Sequence, residues 1–263
     1  MDKPQLSLPK RPLRPTKWIL SLVMIAGLVI SVGMTGADFG EFFANLDQFG
    51  AIFGEMAKPD WSYSYYVIAP LIETIKMAVL GTVIGSALAF PYALLISRNI
   101  IKNRIITSIF RFILNIVRTI PDLLLGAIFV AIVGIGPVAG IISLAFFTFG
   151  MVGKLFYEAV ETIDEGPIEA LTAAGANKFQ IIQYAVFPQI QTYFISYVLY
   201  AFEINVRAST VLGYIGAGGI GMFLQRSLSL YRYDQTGLIV LVIFAVVLVI
   251  DYVSNISREA LIK

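Results

Sequence analysis

Two pairs of opposite charges sit inside otherwise apolar runs. Glu203 and Arg207 are four residues apart, and so are Arg118 and Asp122. On a helix that spacing puts both members of a pair on one face. A central Arg or Asp costs about 2.5–3.5 kcal/mol on membrane-insertion scales. Each pair must therefore neutralise itself and turn toward a protein interior or a watery path. Asn205, Ser209 and Thr210 add polar groups around the first pair. Two readings fit. The pairs hold helices together, or they line a polar route in which Arg207 favours an anion. Glu73, near the end of another apolar run, reads as interfacial.

Other chemistry is excluded by composition. The chain has no His and no Cys, which removes the commonest general base, the commonest metal ligand and all thiol reactions. The remaining polar groups form no recognisable catalytic set, so no enzyme, metal or cofactor is expected. No Gly-x-x-x-x-Gly-Lys-Ser/Thr is present to cradle ATP. Gly216, Gly218 and Gly221 do spell Gly-x-Gly-x-x-Gly. A dinucleotide site would need a preceding strand, a βαβ unit and an acidic residue about 20 positions on. An apolar helix precedes these glycines instead. Together with Gly219 they read as an outer turn or re-entrant segment that lets helices pack closely. Gly81/Gly85 and Gly136/Gly140 also have helix-packing spacing.

The elements that position these residues are membrane helices. Of 263 residues, 58% are hydrophobic and 14% charged, with a mean hydropathy of +0.82; soluble domains are about a quarter charged. The net charge of +2 suggests no nucleic-acid partner. We read an all-α integral membrane protein with six spans, at roughly 18–35, 67–97, 105–134, 138–157, 190–212 and 236–257. The first follows Lys10, Arg11, Arg14 and Lys17 and reads as an uncleaved helix. Asp38, Glu41, Asp47, Glu55 and Asp60 make the next segment acidic, whereas Arg98, Lys102 and Arg104 make the following connection basic. Positive-inside logic puts the N-terminus and 98–104 in the cytoplasm. Counting spans puts 158–189 inside, 213–235 outside and the C-terminus, with Arg258 and Lys263, inside. Apolar positions from Phe39 to Phe53 fit an amphipathic helix on the outer surface. The third span has two possible forms. Either 105–117 lies at the inner interface and the helix restarts near Pro121, or one tilted helix kinks there. The expected organisation is a basic tail (1–17), a first helix with its outer segment (18–66), and a transmembrane domain (67–263) with a cytoplasmic loop at 158–189.

That loop is polar yet patterned for helix. Gly166 is placed to cap, Pro167 to occupy the first helical position, and Glu169 to reach back to the cap amide. Ala170, Ala173 and Ala174 make a small-residue face. Gly175 is placed as a C′ residue with positive φ. A second helix is expected from Asn177, supported by Gln180, to end before Pro188. The result is a compact knob suited to docking, or a well-capped connecting hairpin.

The spacing of Glu169, Ala170, Gly175 and Pro188 resembles the EAA loop of ABC importer permeases. That pattern is Glu-Ala-Ala, three residues, Gly, nine residues, then Ile-x-Leu-Pro. Leu171, Ala185 and Phe187 depart from it. The run from Phe202 to Gly213 and the following Gly216–Gly221 cluster resemble phosphonate ABC transporter permeases, although methionine-type permeases carry a similar glycine cluster. The resemblance extends loosely from residue 67 to the C-terminus. It implies a type I importer permease fold in the cell membrane. It also implies a second permease subunit forming a homodimer or pair, an ABC ATPase subunit and an extracytoplasmic substrate-binding protein. The loop would insert into the ATPase. Glu203, Asn205, Arg207, Ser209, Thr210, Arg118 and Asp122 are candidates for the translocation path. Phosphite, another small solute such as methionine, or an ion-coupled secondary transporter are the alternatives to phosphonate import.

Overall fold

Lipid offers a backbone no hydrogen-bonding partner, so chain that crosses it must satisfy itself as helix. The computed structural model describes residues 15–36 and 39–262, and among them no strand occurs. Lys10, Arg11, Arg14, Asp38 and Lys263, used above for orientation, lie outside the described residues.

The chain divides into two units, residues 1–52 and 53–263. In the first, α1 (Pro15–Thr35) is apolar over Lys17–Thr35. Its Trp18, Leu22 and Leu28 are exposed, as suits a helix solvated by acyl chains. The amphipathic stretch after it is two helices, α2 (Phe39–Ala44) and α3 (Leu46–Met56). Asn45 interrupts them. Its side-chain amide and its backbone N–H both donate to the Glu41 carbonyl, at 2.9 and 3.0 Å, a local bond that competes with helix continuation.

The second unit takes in the last turn of α3 and then a 3₁₀ turn, Trp61–Tyr63, capped by Asp60, which accepts from Ser62 N–H at 3.0 Å. Then come α4 (Ser64–Ile96), α5 (Arg104–Thr119), α6 (Asp122–Val133) and α7 (Pro137–Glu161). The loop helices α8 (Gly166–Ala173) and α9 (Lys178–Ile181) lead through a π-turn (Ile182–Val186) into α10 (Phe187–Tyr214). α11 (Ile220–Ser229) and α12 (Tyr233–Ile262) follow. By length and apolarity α1, α4, α7 and α12 can each cross a membrane, and α5 with α6 makes a fifth span if counted together. α10 has the length, at 28 residues, but its interior carries Glu203, Asn205 and Arg207.

The third span is broken rather than kinked: α5 and α6 meet at 86°. Pro121 supplies no N–H and disfavours helix in the residue before it. Ile120 is accordingly extended, with φ −78° and ψ 121°. Arg118 and Asp122 therefore do not share a helical face, despite their spacing.

Close packing rests on small residues. A Cβ on Gly81 would stand 2.5 Å from Leu144 Cβ, and one on Gly85 2.5 Å from the Ala145 carbonyl oxygen, so α4 and α7 touch backbone to backbone. Gly140 lies against Ala217 in the same way. Gly136 does not: its φ of +139° makes it the cap of α7. Around one end of the bundle Ile96, Leu114, Phe156, Val186 and Ile190 are fully buried. There the rings of Phe90, Phe156 and Phe194 lie 4.8–5.4 Å apart. Arg111 fixes α5 to this end. It donates to the Ile96 carbonyl at 2.9 and 3.0 Å, pairs with Glu161, and stacks 4.6 Å from the Tyr157 ring centre. At the opposite end Val67, Ile220, Leu238 and Ile239 join α4, α11 and α12.

Candidate coupling loop and translocation face

The loop between α7 and α10 is built from local hydrogen bonds. α8 starts one residue earlier than its sequence suggests, with Glu165 as the cap and Gly166 inside the helix. Asp164 Oδ1, not Glu169, accepts the Gly166 N–H, at 3.0 Å. Glu169 is left exposed on the outside of the knob. At the other end Gly175 has φ +83°. Gly175 N–H donates to Thr172 and Ala176 N–H to Leu171, both at 3.0 Å, the two bonds of a Schellman ending. Asn177 and Gln180 then form a complete capping box, at 2.8 and 2.9 Å. Ala170, Ala173 and Ala174 are exposed together, and Phe179 projects beside them at 74% exposure. Phe179 is an exposed aromatic that pattern-reading for apolar faces passes over.

The second loop helix, α9, ends at Ile181 as expected, before Pro188, but the backbone stays helical across the junction. The chain widens into the π-turn, with Phe187 N–H donating to the Ile182 carbonyl, and Pro188 lies in the first turn of α10. A proline ring clashes with the carbonyl four residues back in a regular helix; the extra residue in the turn relieves that. Gln189 staples the junction: it accepts from Asp164 N–H at 3.1 Å and donates to the Ala185 carbonyl at 2.8 Å. Between the knob and the 98–102 connection lies a cleft of 780 Å³, lined in part by Arg98, Lys102, Glu165, Glu169 and Lys178.

Within α10 the candidate path residues part company. Asn205 and Ser209 are fully buried. Asn205 Nδ2 donates to Thr82 Oγ1 on α4 at 2.8 Å and to Thr148 Oγ1 on α7 at 2.7 Å, so one amide ties three helices. Ser209 and Thr210 both bond back to the Val206 carbonyl, at 2.9 and 3.3 Å. Glu203 and Arg207 occupy the other side and form their expected ion pair. Arg207 Nη2 also reaches both carboxylate oxygens of Asp251 on α12, at 3.1 and 3.2 Å. Arg258 Nη2 reaches Glu203 Oε2 at 2.9 Å. The result is a ladder of alternating charge, Arg258–Glu203–Arg207–Asp251, between α10 and α12. Asp251 was missed in the sequence, and Arg258 entered only as a charge near the C-terminus.

Along the same side of α10, Tyr193, Tyr200, Arg207, Val211 and Tyr214 are exposed at intervals of seven, seven, four and three residues. That is one helical stripe. Three phenols and a guanidinium are costly against acyl chains, so the stripe suits water or protein. Arg118 and Asp122 border a separate 320 Å³ cleft at the α5–α6 bend. Asp122 accepts from its neighbour Leu123 N–H at 2.9 Å. Among the described residues no ion pair joins Arg118 to Asp122.

The glycine segment is a rigid hook. Gly216, Gly218 and Gly219 have φ of +95°, +88° and +73°. The hook is caught by α4, where Glu73 Oε1 accepts from Gly219 N–H at 2.9 Å and Thr74 Oγ1 from Ile220 N–H at 2.8 Å. Glu73 thus caps α11 from 146 residues away. A Cβ on Gly221 would sit 1.9 Å from the Thr210 carbonyl oxygen. The close approach expected of these glycines is present, and the turn is held.

Residues 81–263 match the family described as binding-protein-dependent transport system inner membrane component. The phosphite transport system permease protein PtxC of Stutzerimonas stutzeri is 40% identical over 214 residues, spanning 81% of this chain and 78% of that protein. The putative cryptic phosphonate transport system permease protein PhnE2 of Escherichia coli is 42% identical over 118 residues, which is 45% of this chain and 97% of that one. In fold, a chain of the inward-facing MetNI methionine ABC transporter superposes with a TM-score of 0.69 at 22% identity, covering 77% of this chain and 99% of its own.

Proposed function

Because the chain belongs to the family of binding-protein-dependent transport system inner membrane components, and so is the multi-pass membrane subunit of an ABC importer, we propose that its cargo is a small phosphorus oxyanion. A phosphonate is the first reading and phosphite the second, the latter favoured by the 40% identity to a phosphite permease. The observation carrying this reading is the exposed Arg207 in a tyrosine-bearing stripe of α10. A tetrahedral oxyanion passing that stripe exchanges part of its hydration for a guanidinium. Arg118 and Asp122 border the path at the bend. Asn205, Ser209 and Thr210 support its wall rather than line it. Such a path holds its cargo weakly, since transport requires release.

Importers of this family work with an ATPase and a substrate-binding protein. The α8–α9 knob is the ATPase contact, with Glu169, Ala170 and Gly175 forming the docking surface and Phe179 its anchor, a residue type enriched at the centre of interfaces. Pro188 and the π-turn set the angle at which the knob drives α10. The hook at Gly216, Gly218, Gly219 and Gly221 lies on the outer side, where the binding protein delivers substrate. A second copy of the chain completes the path, both termini are cytoplasmic, and residues 67–263 form the permease domain. ATP is hydrolysed by the partner subunit. The test is uptake of labelled methylphosphonate and of phosphite by cells lacking and regaining this gene, with an ATPase-dead partner as control. Uptake of either, dependent on both proteins, supports the reading. Gene-dependent uptake of neither would overturn it.

A further inference from the structure

The charge ladder between α10 and α12 is not symmetrical. Glu203 is held by two guanidinium groups, Arg207 and Arg258. Asp251 is held by Arg207 alone among the described residues, at the longer distances of 3.1 and 3.2 Å. Asp251 is also the more open carboxylate, its side chain 31% exposed against 13% for Glu203. Arg207 is 48% exposed and makes all these contacts through Nη2. Its Nε and Nη1 make no hydrogen bond among the described residues. Glu203 is therefore the more firmly held and more enclosed carboxylate, and Asp251 the more weakly held and more open one.

We infer that Asp251 is a built-in surrogate for the transported anion. It occupies Arg207 in the empty permease and is displaced by the arriving oxyanion. It then returns to Arg207 and helps expel the cargo. Two acceptor oxygens on one carboxylate mimic two oxygens of a phosphonate or phosphite, so one guanidinium can exchange one for the other. Glu203, pinned from both sides, keeps Arg207 oriented during the exchange. The exchange also explains a polar stripe that binds weakly: the arriving anion must compete with a tethered one. Asp251 is thus a residue that sets affinity in the path, acting through Arg207. This rests on the proposed reading of the α10 stripe as the path.

The test uses the purified permease–ATPase complex without binding protein, and measures equilibrium binding of methylphosphonate by calorimetry. Asp251→Asn should bind roughly two- to fivefold more tightly than wild type, the size of a partly exposed ion pair. Asp251→Glu should bind like wild type. Arg207→Gln, alone or with Asp251→Asn, should abolish saturable binding. Asp251→Ser serves as a second neutral variant should the Asn form not assemble. Unchanged affinity in the neutral variants, with binding still lost in Arg207→Gln, overturns the surrogate role and leaves the path reading standing. Unchanged binding in Arg207→Gln overturns both.

Discussion

Replacing Gly221 with alanine puts a methyl group where the structure has no room for one. The new Cβ would lie 1.9 Å from the Thr210 carbonyl oxygen and 2.9 Å from Gly213 Cα. Both are α10 backbone, so no side chain can rotate aside. Ordinary contact starts near 3.5 Å, and α11 must back away from α10 by roughly 1.5 Å. That retreat pulls Gly219 N–H and Ile220 N–H off Glu73 and Thr74, now 2.9 and 2.8 Å away. Overpacking costs about 1–3 kcal/mol, and each lost hydrogen bond about 1 kcal/mol. The expected destabilisation is about 3–5 kcal/mol in all. Thermal unfolding of the purified permease in detergent reads it as a drop of several degrees, with less protein in the membrane and lower uptake. Gly54→Ala is the control: nothing lies within 4 Å of its Cβ position, and alanine in a helix gains about 0.5–1 kcal/mol over glycine. If Gly221→Ala unfolds at the wild-type temperature, the backbone contact between α10 and α11 is not as described.

Two further outcomes follow from the loop and the core. At Gly175, with φ +83° and open space around it, valine must pay the left-handed strain of about 1–2 kcal/mol and distort the knob. Asparagine tolerates that conformation. Substrate-stimulated ATPase activity should fall in Gly175→Val and survive in Gly175→Asn; equal activities would remove the Schellman ending from the mechanism. Asn205→Leu should lower stability by about 1 kcal/mol, the sum expected of two interhelical bonds at about 0.6 kcal/mol each, while the uptake KM stays at the wild-type value. A raised KM with intact stability would place Asn205 in the path.

Much of the site was legible because its signals are local. The Asn177–Gln180 box, the positive φ of Gly175 and the Glu203–Arg207 pair each depend on residues at most four apart, and all three are present. The separation of Asn205 from Arg207 was legible too, since two residues turn a helix by about 200°, yet both were grouped in one path. Local rules also misjudged the start of α8, because Asp164 competes successfully for the Gly166 amide. What sequence could not supply is register between distant helices. Asp251 meets Arg207 across 44 residues, and Glu73 meets Gly219 across 146. Both follow from how antiparallel helices slide into contact, which no single segment encodes. The 86° bend at Pro121 lay between. Proline announces a break but not its angle.

The Asn205 tie also carries a consequence for how the chain is made. As the path helix proposed above, α10 would enter the bilayer with an ion pair and an amide in its middle, a segment poorly suited to stand alone in lipid. Its charges are neutralised within the helix, four residues apart, but Asn205 needs Thr82 and Thr148. Both belong to helices synthesised earlier. By the time the ribosome delivers α10, its two acceptors are already in place, and α12 arrives last with the remaining counter-charges of Asp251 and Arg258. For α10, then, the amide meets acceptors made before it, and the ion pair gains counter-charges made after it.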